Sequence, residues 1–114
     1  MDNITQIFNG LVVTDHAKTA QREIVKYLKG KGYKCNTEVE VNYRNDGHIG
    51  RIDVIAEKDS SKLAIEVDRK SQRKKSIAKL LSICDYQRLI LLRIGNESYC
   101  IDNIHILSLG RRSS

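Results

Sequence analysis

The chain has 114 residues, a length that predicts one domain with a modest hydrophobic core. Its apolar share of 40% and its charged share of 30% are ordinary for a globular protein, and no apolar run is long enough to span a membrane. The net charge of +6 favours a polyanionic partner, and nucleic acid is the first candidate.

The cysteine content argues against a zinc site and against a disulfide framework. Cys35, Cys84 and Cys100 are odd in number and widely spaced, and no CxxC pair is present. They are therefore predicted to be reduced thiols of a cytoplasmic protein.

The first half of the chain predicts helices followed by strands. Residues 1–13 carry apolar side chains at helical spacing and predict a short helix. A longer helix is predicted from Asp15 to Lys29, capped by Thr14 or Asp15 and ended by Gly30. Three alternating segments then predict an antiparallel meander. They run from Tyr33 to Tyr43, from Arg51 to Glu57 and from Lys62 to Val67.

The second half predicts a crossover. Helical spacing of apolar residues indicates a helix from Gln72 to Cys84. The apolar run from Arg88 to Ile94 is typical of a strand buried on both faces, and shorter strands are expected at Glu97–Ile101 and Ile104–Leu109. The predicted fold class is α/β, with a mixed central sheet of four or five strands, an antiparallel meander plus a crossover strand, flanked by helices. The core would span about residues 14–109, and residues 111–114 would be a polar tail.

Two acidic residues stand in apolar strand segments. Asp53 lies between Ile52 and Val54, and Glu66 ends the apolar segment before Val67. A carboxylate is costly to bury alone, and two on neighbouring strands repel unless a cation lies between them. Mg²⁺ or Mn²⁺ bound by Asp53 and Glu66 would resolve that conflict. The alternative is that each acid faces solvent on the polar side of its strand.

A third carboxylate comes from the first long helix. Glu23 lies beside the apolar stripe, one turn from both Ala20 and Tyr27. If this stripe packs on the sheet, Glu23 is expected to point obliquely toward the two strand acids.

On these residues the chain resembles the PD-(D/E)xK, or restriction-endonuclease-like, nuclease superfamily. The order of helix, three-stranded meander, helix and strand over about residues 14–94 is similar to its core. Small Holliday-junction-resolvase-like members add a helix glutamate to the strand acids. The resemblance implies that Glu23 corresponds to the helix glutamate, Asp53 to the strand aspartate and Glu66 to the (D/E) position.

The chain departs from that pattern at the lysine position, two residues after the glutamate, where it has Asp68. In the family the lysine orients or activates the attacking water. The resemblance leaves Lys70 as the nearest substitute, with Arg69 behind it, whereas Asp68 would act as a further metal ligand.

A basic run follows the acidic pair and crowds the start and outer face of the second helix. Such a cluster would neutralise several DNA phosphates without reading sequence, although charge runs usually only solvate a helix face. The predicted nucleic-acid-binding residues are Arg51, Arg69, Lys70, Arg73, Lys74, Lys75 and Lys79, with Arg44 and His48 widening the footprint.

The expected function is thus Mg²⁺- or Mn²⁺-dependent hydrolysis of DNA phosphodiester bonds, directed by DNA shape or by a partner. A two-fold homodimer would present two sites to the two strands of a duplex. Two alternatives remain open: a catalytically inactive nucleic-acid-binding module on the same fold, which Asp68 motivates, and a small interaction protein with an incidental basic face.

Overall fold

A mixed sheet of six strands forms the centre of the molecule in the computed structural model, which describes residues 4–43 and 49–111. The helices are α1 (Ile4–Ile7), α2 (Ala17–Gly30) and α3 (Lys74–Leu81). The strands are β1 (Val12–Val13), β2 (Lys34–Asn42), β3 (Ile49–Lys58), β4 (Ser61–Asp68), β5 (Gln87–Leu92), β6 (Ser98–Ile101), β7 (Ile104–Ser108) and β8 (Gly110–Arg111). Arg44 and His48, predicted to widen a nucleic-acid footprint, lie outside the described residues, as does most of the predicted tail.

The strand order in the sheet is β2-β3-β4-β5-β7-β6. Strands β2, β3 and β4 pair antiparallel, which confirms the predicted meander. Strand β5 pairs parallel with both β4 and β7, so the chain crosses over through α3 between β4 and β5. The predicted α/β class with a meander and a crossover strand is confirmed, and the sheet has six strands instead of four or five.

Two hydrophobic clusters cover the two faces of this sheet. One joins α1 and α2 to β3, β4 and β5, with Ile24, Leu28 and Ile65 fully buried in it. The other packs α3 on the opposite face, around Leu80 and Ile90. The central strands are therefore enclosed on both sides, and a polar side chain on β4 has to find its partners inside the protein.

Several boundaries differ from the predicted ones. The N-cap of α2 is His16, whose Nδ1 accepts from the Thr19 amide at 3.5 Å, because the side chains of Thr14 and Asp15 bind elsewhere. The core also extends beyond residue 14 toward the N-terminus, since Ile4 is buried in the cluster under α2. Strands β1 and β8 pair parallel through Val12–Gly110 and Val13–Arg111, so the backbone of Arg111 belongs to a strand and not to the predicted tail.

The regular strand pairing of the meander is interrupted on both sides of Asp53. Glu38 has a left-handed φ of 54°, and the β2–β3 pairing steps from Thr37–Val54 to Val39–Ile52 without a Glu38–Asp53 pair. The β3–β4 ladder begins only at Val54–Ile65. Asp53 therefore has no regular strand partner on either side. Its backbone amide and carbonyl are left to form hydrogen bonds with side chains.

No helix in the described part of the chain combines the length and apolar character needed to cross a membrane.

Candidate functional site

The side chains of Asp53 and Glu66 accept hydrogen bonds from backbone amides of the facing strand at the point where the β3–β4 ladder stops. The Asp53 amide donates to Oε2 of Glu66 at 2.9 Å, and the Val67 amide donates to Oδ2 of Asp53 at 2.8 Å. Side chains thus take the place of the missing backbone partners, and both carboxylates are held at the carboxyl end of β4. The structure brings together the two strand acids that the sequence singled out.

Glu66 is fully buried, which rules out the alternative that it faces solvent. Its partner is Lys79 of α3, whose Nζ lies 2.6 Å from Oε1 of Glu66 and also donates to the carbonyl of Arg51 at 2.9 Å. Oε1 of Glu66 is therefore engaged in a buried ion pair with the Lys79 ammonium.

A glycine makes room for Lys79 at this place. A Cβ at Gly50 would lie 2.8 Å from Cδ of Lys79 and 2.6 Å from Cε1 of Tyr43. The lysine stem therefore crosses close to the backbone of β3, which only glycine permits.

Burial and the charges of neighbouring acids raise the pKa of both Asp53 and Glu66. Burial is the main cause for Asp53, with the charges of Glu38 and Asp68 adding to it, while the Val67 amide opposes the rise in pKa. Burial also leads for Glu66, followed by the charge of Asp53, and the Lys79 ammonium opposes them. Such a pair holds its negative charge at a cost, and a cation at the site would lower that cost.

Asp68 is occupied with the start of α3. Its Oδ2 accepts from the Arg73 amide at 2.9 Å, while its Oδ1 accepts from Nε of Arg73 at 2.9 Å and from the Ser76 hydroxyl at 3.0 Å. The Arg73 N-cap has no side-chain capping bond of its own, so Asp68 supplies the missing acceptor. Asp68 thus has a structural role at the start of α3, and its part as a further metal ligand stays a prediction.

Glu23 does not reach the strand acids, contrary to expectation. Its Oε1 accepts from both the amide and the hydroxyl of Thr14 at 3.0 Å. The residue of α2 that faces the site is Gln21, which donates to the Asp53 carbonyl at 2.8 Å. The reason is the helical rotation of about 100° a residue, which places Gln21 and Glu23 on nearly opposite sides of α2, about 160° apart.

Glu38 is the acid near Asp53 that sequence reasoning missed. It lines the clefts on both sides of Asp53 and helps to raise the pKa of that residue. It is exposed and lies 3.8 Å from Lys18. Its left-handed backbone interrupts the strand alternation and places the side chain near Asp53. No residue pattern in the sequence predicts that conformation.

The members of the predicted basic cluster differ in burial and in their ion-pair partners. Lys79 is buried, with 6% of its surface exposed, and is therefore not on the outer face of α3. Arg69 donates twice to Oδ2 of Asp15, at 3.0 and 3.2 Å, and Arg73 binds Asp68. Lys70 is exposed in the segment that joins β4 to α3. The remaining three members, Arg51, Lys74 and Lys75, are also exposed, and Arg51 and Lys75 line a cleft with Asp53.

The donor set suits a hydrated divalent cation better than a fully enclosed one. Within residues 4–43 and 49–111 no three side chains of His, Cys, Asp or Glu come together as a ready-made metal site. Asp53 and Glu66 provide two carboxylates, and Mg²⁺ characteristically binds one or two carboxylates while keeping waters or substrate phosphates. The raised pKa values of both acids fit such an ion.

Comparison with known proteins establishes the fold and not the activity. No protein-family model matches the chain, and neither does any curated protein. A solved structure that resembles it is the crystal structure of AF1548, a protein of unknown function, with a TM-score of 0.50 and 20% sequence identity. The likeness covers 63% of this chain and 44% of AF1548, so the chain spans less than half of that protein.

Removing the Lys79 charge is expected to destabilise the protein. Lys79→Met leaves Glu66 buried without its cation, which should lower the free energy of unfolding by about 3 kcal/mol, measured by urea denaturation without metal. The double variant Lys79→Met with Glu66→Gln should recover much of that loss. Equal losses in the single and double variants would show that the charge pair is not the cause.

The pH dependence of stability should change when Asp53 loses its charge. Because the folded pKa of Asp53 is raised above its ordinary value of 3.8, the native chain loses stability as pH rises from that value through the folded pKa. Asp53→Asn lacks this loss, so without metal its stability relative to the native chain should increase over that interval. Urea denaturation across a pH series measures this, and the exposed Asp102→Asn is the matched control. Parallel curves for Asp53→Asn and the native chain would contradict the raised pKa.

Proposed function

We propose that the chain is a metal-dependent nuclease that hydrolyses DNA phosphodiester bonds, with Asp53 and Glu66 as the residues that would hold Mg²⁺ or Mn²⁺. The observation that carries this proposal is that the carboxylates of Asp53 and Glu66 each accept a backbone amide from the facing strand, beside a buried lysine. The resemblance to the PD-(D/E)xK superfamily, including its restriction-endonuclease-like core, supports the proposal through the sequence, and the α/β fold is compatible with it. A cytoplasmic location accords with three free cysteines.

Lys79 takes the part that the resemblance assigned to Lys70. Its ammonium lies 2.6 Å from Glu66, whereas Lys70 is exposed in the segment before α3. A fixed cation at the carboxylate pair would steady negative charge on the phosphoryl oxygens and orient an attacking water. The position two residues after Glu66 is then free to hold Asp68, which anchors the helix that carries Lys79.

The chain's own residues account for substrate placement as well. Arg51 and Lys75 line the cleft that contains Asp53, so both would contact phosphates next to the scissile bond. A bound Mg²⁺ or Mn²⁺ would lower the pKa of a water molecule and stabilise charge on the phosphate. Asp53 and Glu66 must be ionised to bind it, and their raised pKa values predict weaker binding in acid.

The direct test is cleavage of supercoiled, branched and single-stranded DNA with Mg²⁺, with Mn²⁺ and with EDTA. We expect metal-dependent cleavage that falls by ~100-fold or more in Asp53→Asn, since several kcal/mol of charge stabilisation depend on the metal. Glu23→Gln is the matched control, because the structure separates Glu23 from the pair, and it should cleave at the native rate.

Two other results would replace the proposal. DNA binding without cleavage on every substrate would make the chain a non-catalytic nucleic-acid-binding module, the alternative that Asp68 motivates. Failure to bind any DNA at moderate salt, together with no stabilisation by metal, would favour an interaction protein. A homodimer stays a hypothesis for duplex cleavage, and light scattering at working concentration decides it.

A further inference from the structure

Helix α2 carries a row of exposed cations that sequence reasoning did not select. Lys18, Arg22, Lys26 and Lys29 are all exposed. Residues of an α-helix are turned by about 100° from one to the next, so Lys18, Arg22 and Lys29 point within about 40° of one another. They lie opposite the buried Ile24, on the solvent side of the helix.

These four side chains line one groove between α2 and β2, which we name the α2 groove. Glu38 is the acidic residue among those that line it, and it lies 3.8 Å from Lys18. Four cations against one carboxylate make the α2 groove strongly positive. By contrast, Arg69 and Arg73 of the predicted cluster are held by Asp15 and Asp68.

The α2 groove leads into the candidate site. Lys18, Gln21 and Glu38 line it and also line the cleft that contains Asp53 and Arg73. From Lys18 to Lys29 the row follows about 16 Å of helix axis, at about 1.5 Å a residue. A strand of B-DNA winds round its axis, so its successive phosphates are further apart than their axial rise of about 3.4 Å, and the row is long enough for several phosphates of one strand but fewer than five.

We infer that the α2 groove binds the sugar–phosphate backbone of duplex DNA on one side of the scissile phosphate. This inference rests on the proposed function, because the carboxylate pair supplies the reason for DNA to enter the cleft. The contacts are to phosphates, so they add affinity and orientation and no sequence preference. Arg51 and Lys75, on the other side of Asp53, would contact the backbone beyond it.

The test compares two triple variants that remove the same charge. The first, Arg22→Gln with Lys26→Gln and Lys29→Gln, neutralises the α2 groove outside the candidate site. The second, Lys34→Gln with Lys58→Gln and Lys62→Gln, neutralises exposed lysines away from the α2 groove and the carboxylate pair. Binding of a labelled duplex is measured over a range of salt concentrations in EDTA, so that binding is read without cleavage, and thermal melting checks that each variant folds.

We expect the first triple to bind the duplex at least ~10-fold more weakly at about 0.1 M salt. Its plot of log K against log salt should lose about 2 to 3 units of slope, since each phosphate contact contributes about 0.9. The second triple should keep the native slope. Equal effects of the two triples, a native slope in the first, or no duplex binding by the native chain would each overturn the inference. Polyglutamate that binds with the same dependence on α2 would assign the α2 groove to an acidic protein instead.

The same samples separate this inference from the proposed function. If the native chain shows α2-dependent binding and yet never cleaves with Mg²⁺ or Mn²⁺, the α2 groove stands and the nuclease proposal fails. If the native chain cleaves DNA but the first triple keeps the native salt slope, the nuclease proposal stands and the α2 groove is wrong.

Discussion

The arrangement at the carboxyl end of β4 depends on one buried ion pair, Glu66 with Lys79. A carboxylate with no exposed surface cannot remain ionised there without a cation, and Lys79 Nζ supplies one at 2.6 Å. The pair ties α3 to β4, and through the Arg51 carbonyl it also ties α3 to β3. Asp53 then joins, because its amide donates to the Glu66 carboxylate and its own carboxylate accepts from the Val67 amide.

The polar residues around this pair serve mainly to hold it in place. Asp68 fixes the first turn of α3 through Arg73 and Ser76, which sets where Lys79 emerges one turn later. Asp15 receives Arg69 and Arg93, and these two guanidinium groups outweigh its partial burial and keep its pKa below the ordinary value. The segments before α2 and after β4 are thereby joined. A site built on such supports is rigid before any ligand arrives, which favours catalysis by positioning.

Much of the fold follows from local pattern, because burial dictates periodicity. The alternation along β3 and β4, and the apolar run of β5, predicted the meander and the strand enclosed on both faces, and the structure has both. The N-cap of α2 was harder to predict from the sequence. Thr14 and Asp15 are better capping residues than His16, but their side chains are bound to tertiary partners. Pairings between distant segments override local preference in this way.

The candidate site was likewise predictable only in part. Asp53 and Glu66 were predictable, since charged residues inside apolar strands need a reason. The place of Lys79 was not, because its distance along the chain from Glu66 matches no motif and only the α3 crossover brings the two together. The prediction for Glu23 failed because a side chain beside an apolar stripe can point to either side of that stripe, and Glu23 points toward Thr14. Glu38 depends on a left-handed residue within a strand, which nothing in its neighbours signals.

We propose that Asp53 and Glu66 together bind a divalent cation. The most direct measurement is a crystal structure of the chain soaked in Mn²⁺, with the ion located by its anomalous scattering. We expect one strong peak at the carboxyl end of β4, bound by oxygens of both Asp53 and Glu66, that disappears in Asp53→Asn. Carboxylates that keep the geometry described above with no Mn²⁺ between them, at concentrations that saturate ordinary carboxylate sites, would contradict it.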